Sequence, residues 1–525
     1  MSARLICPAF LLLISCSLQA KPPHLQLLTT EVPLAEIYRG TVYPSDDFRH
    51  VAALNHQQTN VAVCVDAEPA REYDDVGWVG FSPDSKQTVF SAVRNGKSFT
   101  VVNGHEGKFF DAIAYKGGKD CPFEFSPDSR RLAYVVTEGD IQKVVVDGRE
   151  AEQSYERIEN GSLKFSPDSK HLAYAGRRGT YSHVVFDGAE GPAWDAINLE
   201  RNSPDGVDLP PMVFSGDSKH FAYEAKRGGE SVIVLDGKIL AHGEVHGLVF
   251  SPNGRRVACV QDDDRNDPLH FLTRVVVDGV AGEPVEGEVT LLTFSPNSER
   301  IVCLRRHIQA STEDRTYTIL SINDKENRQY QEIAPESFQF SADGKHMGFL
   351  TGEKRKKSRL LAWLREKIPL KLPDSDDDDD ERTRFFVVVD GKYRVIQADA
   401  LDNIAFSADL RRWGIVTETD TNQCAIVDGK RIGPYATIEP TKGEKEIRCR
   451  VFFSPDSRHY ALQASNQKGA VLVVDGVEKV INGKWRSDCN LVFDTPTHLH
   501  GLFSRSTSEG RERIFRLEVD LIESR

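Results

Sequence analysis

The chain has 525 residues, more than one ordinary hydrophobic core carries, so several domains or a repeat array are expected. Hydrophobic residues make up 39% and charged residues 28%, with 39 Gly and 25 Pro; this excludes a polytopic membrane protein, a collagen and a wholly disordered chain. The net charge of −13 argues against general nucleic-acid binding, because a phosphate backbone would be repelled.

Residues 1–20 carry one basic residue, Arg4, then an apolar run from Leu5 to Ile14, then small and polar residues ending at Ala20. The run is shorter than the roughly 20 apolar residues a membrane span needs. Its layout is that of a secretory signal peptide cut after Ala20, which predicts an exported, periplasmic or extracellular protein. Leu13-Ile14-Ser15-Cys16 also resembles a bacterial lipobox, and a lipid anchor on Cys16 is the alternative. No later segment is long and apolar enough to cross a membrane. Of nine cysteines, the seven beyond the leader are scattered and form no CxxC pair, so they read as small buried hydrophobes in strands.

From Tyr43 onward one motif recurs, an aromatic followed by Ser-Pro-Asp-Ser/Gly. It begins at Phe81, Phe125, Phe165, Phe214, Phe250, Phe294, Phe340, Phe406 and Phe453, with degenerate copies at Tyr43 and Phe493. The spacings run 38, 44, 40, 49, 36, 44, 46, 66, 47 and 40 residues, close to the period of about 40–45 of a four-stranded propeller blade. Eight residues after the anchor stands a small residue in most copies, such as Ala133, Ala173, Ala222, Ala258, Gly348, Gly414 or Ala461. A small residue at one fixed depth predicts close sheet-on-sheet contact.

Further along each copy a β-branched run ends in Asp-Gly or Asn-Gly, as in Val144-Val145-Val146-Asp147-Gly148. That pair after such a run is a strong hairpin signal, because a type I′ turn needs positive φ at both central residues. One module therefore reads as strand A into the anchor, a turn, strand B, a loop, strand C, an Asp-Gly turn and strand D. The pattern resembles the bacterial WD40-like β-propeller repeat of the TolB type, whose signature is a similar Phe-Ser-Pro-Asp-Gly turn. The resemblance covers roughly residues 34–520 and implies an all-β propeller.

The last module lacks a strand D, while Leu34-Ala35-Glu36-Ile37 looks like an orphan one; pairing them would close a ring and remove exposed edges. Eleven four-stranded repeats exceed the usual number of about 4–8 blades. Two rings are expected, residues 21–290 and 291–525, with one large ring as the alternative.

Strand directions alternate, so the A–B and C–D turns share one face and the B–C and D–A loops the other. The long irregular segments fall on the second face: residues 198–211, 262–270, 307–316, 440–446 and a charged insert at 353–384. Variable loops on a rigid scaffold are where proteins place binding. Candidate contacts there are Asp262, Asp263, Asp264 and Asp267, then Trp363 in an apolar stretch of the insert, and Asp376 and Asp378 in its acidic run. The acidic groups could attract Ca²⁺, although a bare Asp run lacks the spaced oxygens of an EF-hand loop; no cofactor is otherwise expected.

Histidines six residues past the anchor (His171, His220, His346, His459) occupy one repeat slot and read as structural. Cys121, Cys449 and Cys489 lie four residues before an anchor and could meet a metal only near an axis. There is no Gly-x-Ser-x-Gly elbow, His-Glu-x-x-His or phosphate loop. The chain ends in the last repeat, so the hydrolase domain that follows the blades in prolyl oligopeptidases is not expected. The sequence thus points to an exported scaffold that recognises a protein, peptide or glycan through its loop face. A propeller glycoside hydrolase or lyase using acidic residues at the ring mouth is the rival, and envelope transport support of the TolB kind follows from the resemblance alone.

Overall fold

A computed structural model describes residues 25–523 apart from 38–39, 58, 67, 69–70, 115–120, 198–211, 264–271, 310–314, 324, 355–382, 397–403, 419–421, 440–450 and 487–488. The described residues are almost entirely strand, with one 3₁₀ turn at Pro335–Ser337. Every strand pairing is antiparallel, and successive strands fold back on one another in chain order. Sheets 1 to 4 come from residues 40–73, 75–110, 123–150 and 157–194. Sheets 5 (196–250) and 6 (238–286) share the long strand Lys238–Phe250 and so form one nine-stranded unit. Sheets 7 to 10 use residues 288–330, 332–396, 405–435 and 437–481.

Sheet 11 joins the two ends of the chain. Strand Leu25–Ile37 pairs with Glu512–Glu523, from Leu25 opposite Glu523 to Ile37 opposite Glu512, with one bulge between Pro33 and Ala35. The fourth strand expected at residues 34–37 is present and extends back to Leu25.

The anchor motif is a turn whose chemistry is now visible. Ser126 donates from Oγ to Asp128 Oδ1 at 2.7 Å and accepts from Arg131 N at 2.9 Å. The fifth position lies at positive φ: 61° at Ser129, 72° at Gly254 and 68° at Gly344. Glycine adopts that backbone without strain, while Ser129 and its counterparts, and Leu410 at 56°, hold it against their Cβ. Its hydroxyl is also used between sheets, because Asp84 N donates to Ser129 Oγ at 3.0 Å and Asp128 N to Ser169 Oγ at 3.0 Å. Asp168 N donates in the same way to Ser218 Oγ at 2.9 Å.

The Asp-Gly pairs form the expected turns, with φ of 51° at Asp147 and 77° at Gly148. Asp147 Oδ1 accepts from Leu132 N at 2.9 Å, so the C–D turn is bonded to the start of strand B. His220 and His346 reach the aspartates Asp236 and Asp390 at 2.7 and 2.6 Å. Arg131, Arg256 and Arg412 fill the same role toward Asp147, Asp278 and Asp428. These contacts put the A–B and C–D turns side by side on one rim, and give the repeated histidines a structural task.

Buried apolar side chains fall into clusters that each draw on two successive sheets. One joins sheets 3 and 4 through Val135, Tyr155 and Tyr174. Another joins sheets 6 and 7 through Ala258, Leu292 and Phe294. The last ones join sheets 10 and 11 through Leu472, Leu499 and Phe503, and sheets 11 and 1 through Leu34, Val51 and Ile514. Each fully buried aliphatic or aromatic group contributes roughly 1.5–3 kcal/mol, so an interface of this kind stabilises on the order of 10 kcal/mol before conformational entropy. The small-residue slot sits in these interfaces: Ala133, Ala173 and Ala222 are fully buried. A Cβ on Gly414 would lie 2.7 Å from Val451 Cγ1 of the next sheet.

Cys259, Cys303, Cys424 and Cys489 are buried, as expected of small hydrophobes, and no disulfide joins the described cysteines. Burial pushes the Cys259 thiol pKa up to about 12.

Candidate binding site on the loop rim

The rim opposite the repeated turns carries the ends of the B strands and the starts of the C strands. In sheet 6, strand Val257–Asp263 ends there and Leu272–Val277 begins there. In sheet 7 the same rim is formed by Ile301–Gln309 and Arg315–Ile322.

Near this rim Asp262 accepts from His246 Nε2 at 3.2 Å, while its Oδ1 is buried with no hydrogen-bond partner among the described residues. His246 comes from the long strand shared by sheets 5 and 6. Desolvation opposes its charge, but the Asp262 carboxylate, with Glu224 and Glu288, outweighs it and raises the imidazole pKa. Glu224 itself is only 6% exposed, an unusual depth for a carboxylate.

One sheet further on, Arg306 Nη2 donates to Glu288 Oε2 at 2.7 Å. His307 Nε2 lies 3.4 Å from Glu286 Oε2, and its ring meets Tyr317 edge-on at 4.7 Å. These three residues, with Val285, Ile319, Arg328 and Gln329, line a groove of about 420 Å³. Arg328 stacks its guanidinium on Tyr393 at 5.1 Å, which fixes one wall. The result is a polar, charged groove with an imidazole, a carboxylate, a guanidinium and a phenol ring around it. Such a set can bind a polar ligand through hydrogen bonds and ring stacking.

A second hollow of about 390 Å³ lies along the first strands of sheets 8 to 11, lined by Gln339, Phe406, Val451, Phe452, Phe453 and Phe493 among others. It is apolar, with no carboxylate in its lining.

Of the residues singled out from sequence, Asp262 pairs with His246 and is not among the residues that line either hollow. Asp263 is the last residue of its strand. Asp264, Asp267, Trp363, Asp376, Asp378 and Cys16 lie outside the described residues. Cys489 is buried between sheets 11 and 1, Cys121 is exposed, and Cys449 lies outside the described residues, so the described thiols do not share a site. Sequence reasoning missed His246, Glu286, Glu288, Arg306, Tyr317 and Arg328. One signal pointed to them: Gly-Glu-Val recurs at 243–245 and 287–289, each time with the glycine at positive φ, 102° and 113°. That glycine admits a kink at the head of strand A in these two sheets.

Consecutive antiparallel sheets of about four strands, packed face to face with their first strands along a common hollow, define a β-propeller. No family model matches the chain, and no curated protein sequence matches it. It is similar to a crystal structure of the eukaryotic initiation factor at 12% identity and TM-score 0.38, covering 84% of this chain and 94% of that one. It is similar to TolB from Acinetobacter baumannii at 16% identity and TM-score 0.21, covering 46% and 66%. The β-propeller domain of the trilobed protease from Pyrococcus furiosus gives 10% identity and TM-score 0.25, covering 68% and 93%. Likenesses this distant say nothing of ligand or partner.

Proposed function

We propose that this chain is an exported β-propeller, closed as one ring of eleven blades, that binds a protein, peptide or glycan across its loop rim. Binding is centred on the groove between sheets 6 and 7. The observation that carries the binding reading is the groove itself: His307, Glu286, Tyr317 and Arg328 converge there. Support for one ring rather than two comes from the apolar clusters. The cluster that bridges sheets 6 and 7 around Leu292 is built like its neighbours, with no break near residue 290. The clusters then run on through sheet 11 to sheet 1. Export rests on the layout of residues 1–20, with Cys16 as the alternative lipid attachment point.

A glycosidase or lyase needs two carboxylates about 5–10 Å apart across its site. Among the described residues the groove lining holds one carboxylate, Glu286, and the apolar hollow holds none, which favours the binding reading over that one.

The test is a pair of glycan and peptide arrays probed with the chain from residue 21 onward. Wild type should retain a defined set of ligands that Arg328→Glu with Glu286→Lys loses. Asp147→Asn, on the opposite rim, should retain the same set. Retention by the groove variant, or no specific ligand on either array, would remove the binding assignment.

A further inference from the structure

Sheet 11 departs from the repeat at the positions where the other sheets are most uniform. Strand pairing sets His500 opposite Val492, in the buried slot where the ten other sheets place Ala, Gly or Val. Its side chain is fully buried. Asp494 follows the anchor Phe493, at the position of the turn serine in intact copies. Packing and turn geometry explain neither substitution, since both introduce charged or polar groups where the fold uses small ones.

The two residues meet each other and two more. His500 Nδ1 lies 2.8 Å from Asp494 Oδ2, and His498 Nε2 lies 3.6 Å from the same oxygen and 2.9 Å from Glu518 Oε2. The ligand atoms of Asp494, His500 and Glu518 all fall within 4.8 Å of one another. A second layer holds each group from behind. His500 Nε2 donates to Asp47 O at 2.5 Å, and His498 Nδ1 donates to Asp520 Oδ1 at 2.7 Å. Arg49 Nη2 pairs with Asp494 Oδ1 at 2.8 Å, and Arg516 Nε forms an ion pair with Glu518 Oε1 at 2.6 Å. The outer atoms are engaged, and His500 Nδ1 with one carboxylate oxygen each of Asp494 and Glu518 is left facing inward, with His498 Nε2 beside the two carboxylates.

We propose that His500, Asp494 and Glu518, with His498 at their edge, form a binding site for a divalent transition-metal ion of the zinc class, at the seam between sheet 11 and sheet 1. An imidazole and two carboxylates are zinc donors that leave a fourth position for His498 or water, and bonds of about 2.0–2.1 Å put tetrahedral ligands about 3.3 Å apart, within the 4.8 Å spread of the three. Histidine ligands that donate their other N–H to a carboxylate or a backbone carbonyl are the usual outer layer of such sites. A neutral imidazole has one N–H and cannot donate at both nitrogens, yet both rings face oxygen on both sides. A cation between the inner atoms resolves that mismatch. So does a second proton on each ring, and the experiment must separate the two. The side chains of Asp494, His498 and Glu518 are 18%, 29% and 21% exposed, which leaves an open side for the ion to enter. Because Asp47 and Arg49 belong to sheet 1, a bound ion would staple the ring closure.

The test uses chelator-stripped full chain titrated with Zn²⁺ against a chromophoric chelator, with thermal unfolding in parallel. One zinc per chain and a rise in Tm are expected. His500→Ala restores the residue most other sheets carry in that slot, so it should fold and lose the stoichiometric zinc. Asp494→Asn should lose it too, and Asp520→Asn should weaken it about 10–100-fold. Substoichiometric zinc in wild type, or equal uptake by wild type and His500→Ala, would overturn the assignment and leave a network held by protons alone.

Discussion

His171 Nδ1 lies 2.6 Å from Asp187 Oδ2, and this contact joins two turns that are sixteen residues apart in the chain. The other oxygen of Asp187 accepts from Leu172 N at 2.9 Å, and Asp187 itself sits at φ 48°. One residue thus begins a type I′ turn, caps strand B and holds the histidine. Asp187→Ala should cost about 1 kcal/mol for the lost hydrogen bond and a further 1–2 for alanine at positive φ. Asp187→Asn keeps an oxygen for Leu172 N and tolerates the backbone, so it should cost less than about 1 kcal/mol. Native-state hydrogen exchange at the Leu172 amide reads both, with about a tenfold rate change per 1.4 kcal/mol. Equal protection in the two variants would show that the Asp187 carboxylate is not what holds the turns together.

Packing between sheets gives a second prediction. A Cβ on Gly414 would meet Val451 Cγ1 at 2.7 Å and Cβ at 2.9 Å, just before strand Phe452–Phe453 of the next sheet. Gly414→Ala should therefore destabilise by about 1–3 kcal/mol through overpacking. Val451→Ala removes the two Cγ contacts and leaves only the one to its Cβ, so the double variant should lose less than the sum of the two single changes. Additive losses in denaturant unfolding would mean that the two sheets separate more easily than their contact implies.

The repeat was legible because its determinants are local. The turn serine, the Asp-Gly pair and the small residue eight past the anchor each solve a problem within a few residues, so each recurs in register. The closing strand was legible for a different reason: an unmatched third strand at one end and Leu34-Ala35-Glu36-Ile37 at the other left one pairing to make. Asp262, a described loop candidate, does not line the groove; Glu286, His307 and Tyr317, which do, come from three strands of two sheets and share no spacing in the chain. His498 and His500 were passed over because the copy that contains them has lost the turn pattern that would have aligned it.

The turn aspartates predict a defined response to acid. Hydrogen bonds from Ser82, Ser126, Ser215 and Ser341 are the largest influence on Asp84, Asp128, Asp217 and Asp343, and hold each pKa below the ordinary value of 3.8. A carboxylate whose folded pKa is depressed adds stability above its unfolded pKa and loses it as pH falls through the folded one. Tm should therefore be insensitive to these groups near neutrality and fall below about pH 4, where the unfolded chain takes up protons first. Ser82→Ala with Ser126→Ala should lower Tm at pH 7 and flatten the acid slope. An unchanged slope in that variant would show that other groups govern the acid limb.

Ring closure makes the last prediction, because strand Leu25–Ile37 is wedged between two interfaces. Leu27 packs with Leu472 and Phe503 on the side of sheet 10, while Leu34 and Ile37 pack with Val51 and Ala53 of sheet 1. Its register is fixed by charge as well, since Glu36 pairs with Arg511 at 2.8 Å and Arg513 at 2.9 Å. Starting the chain at residue 38 would uncover the full edge of Glu512–Glu523, an unpaired strand of the kind that recruits other chains. The shortened chain should therefore associate or aggregate at concentrations where the full chain is monomeric. A peptide of residues 25–37 added in trans should restore the monomer by strand addition. The same peptide carrying Leu34→Asp should fail, because it would bury a carboxylate at a position only 4% exposed. Size-exclusion chromatography with light scattering distinguishes these outcomes. A shortened chain that stays monomeric and keeps its Tm would mean that the seam contributes nothing to holding the sheets in a ring.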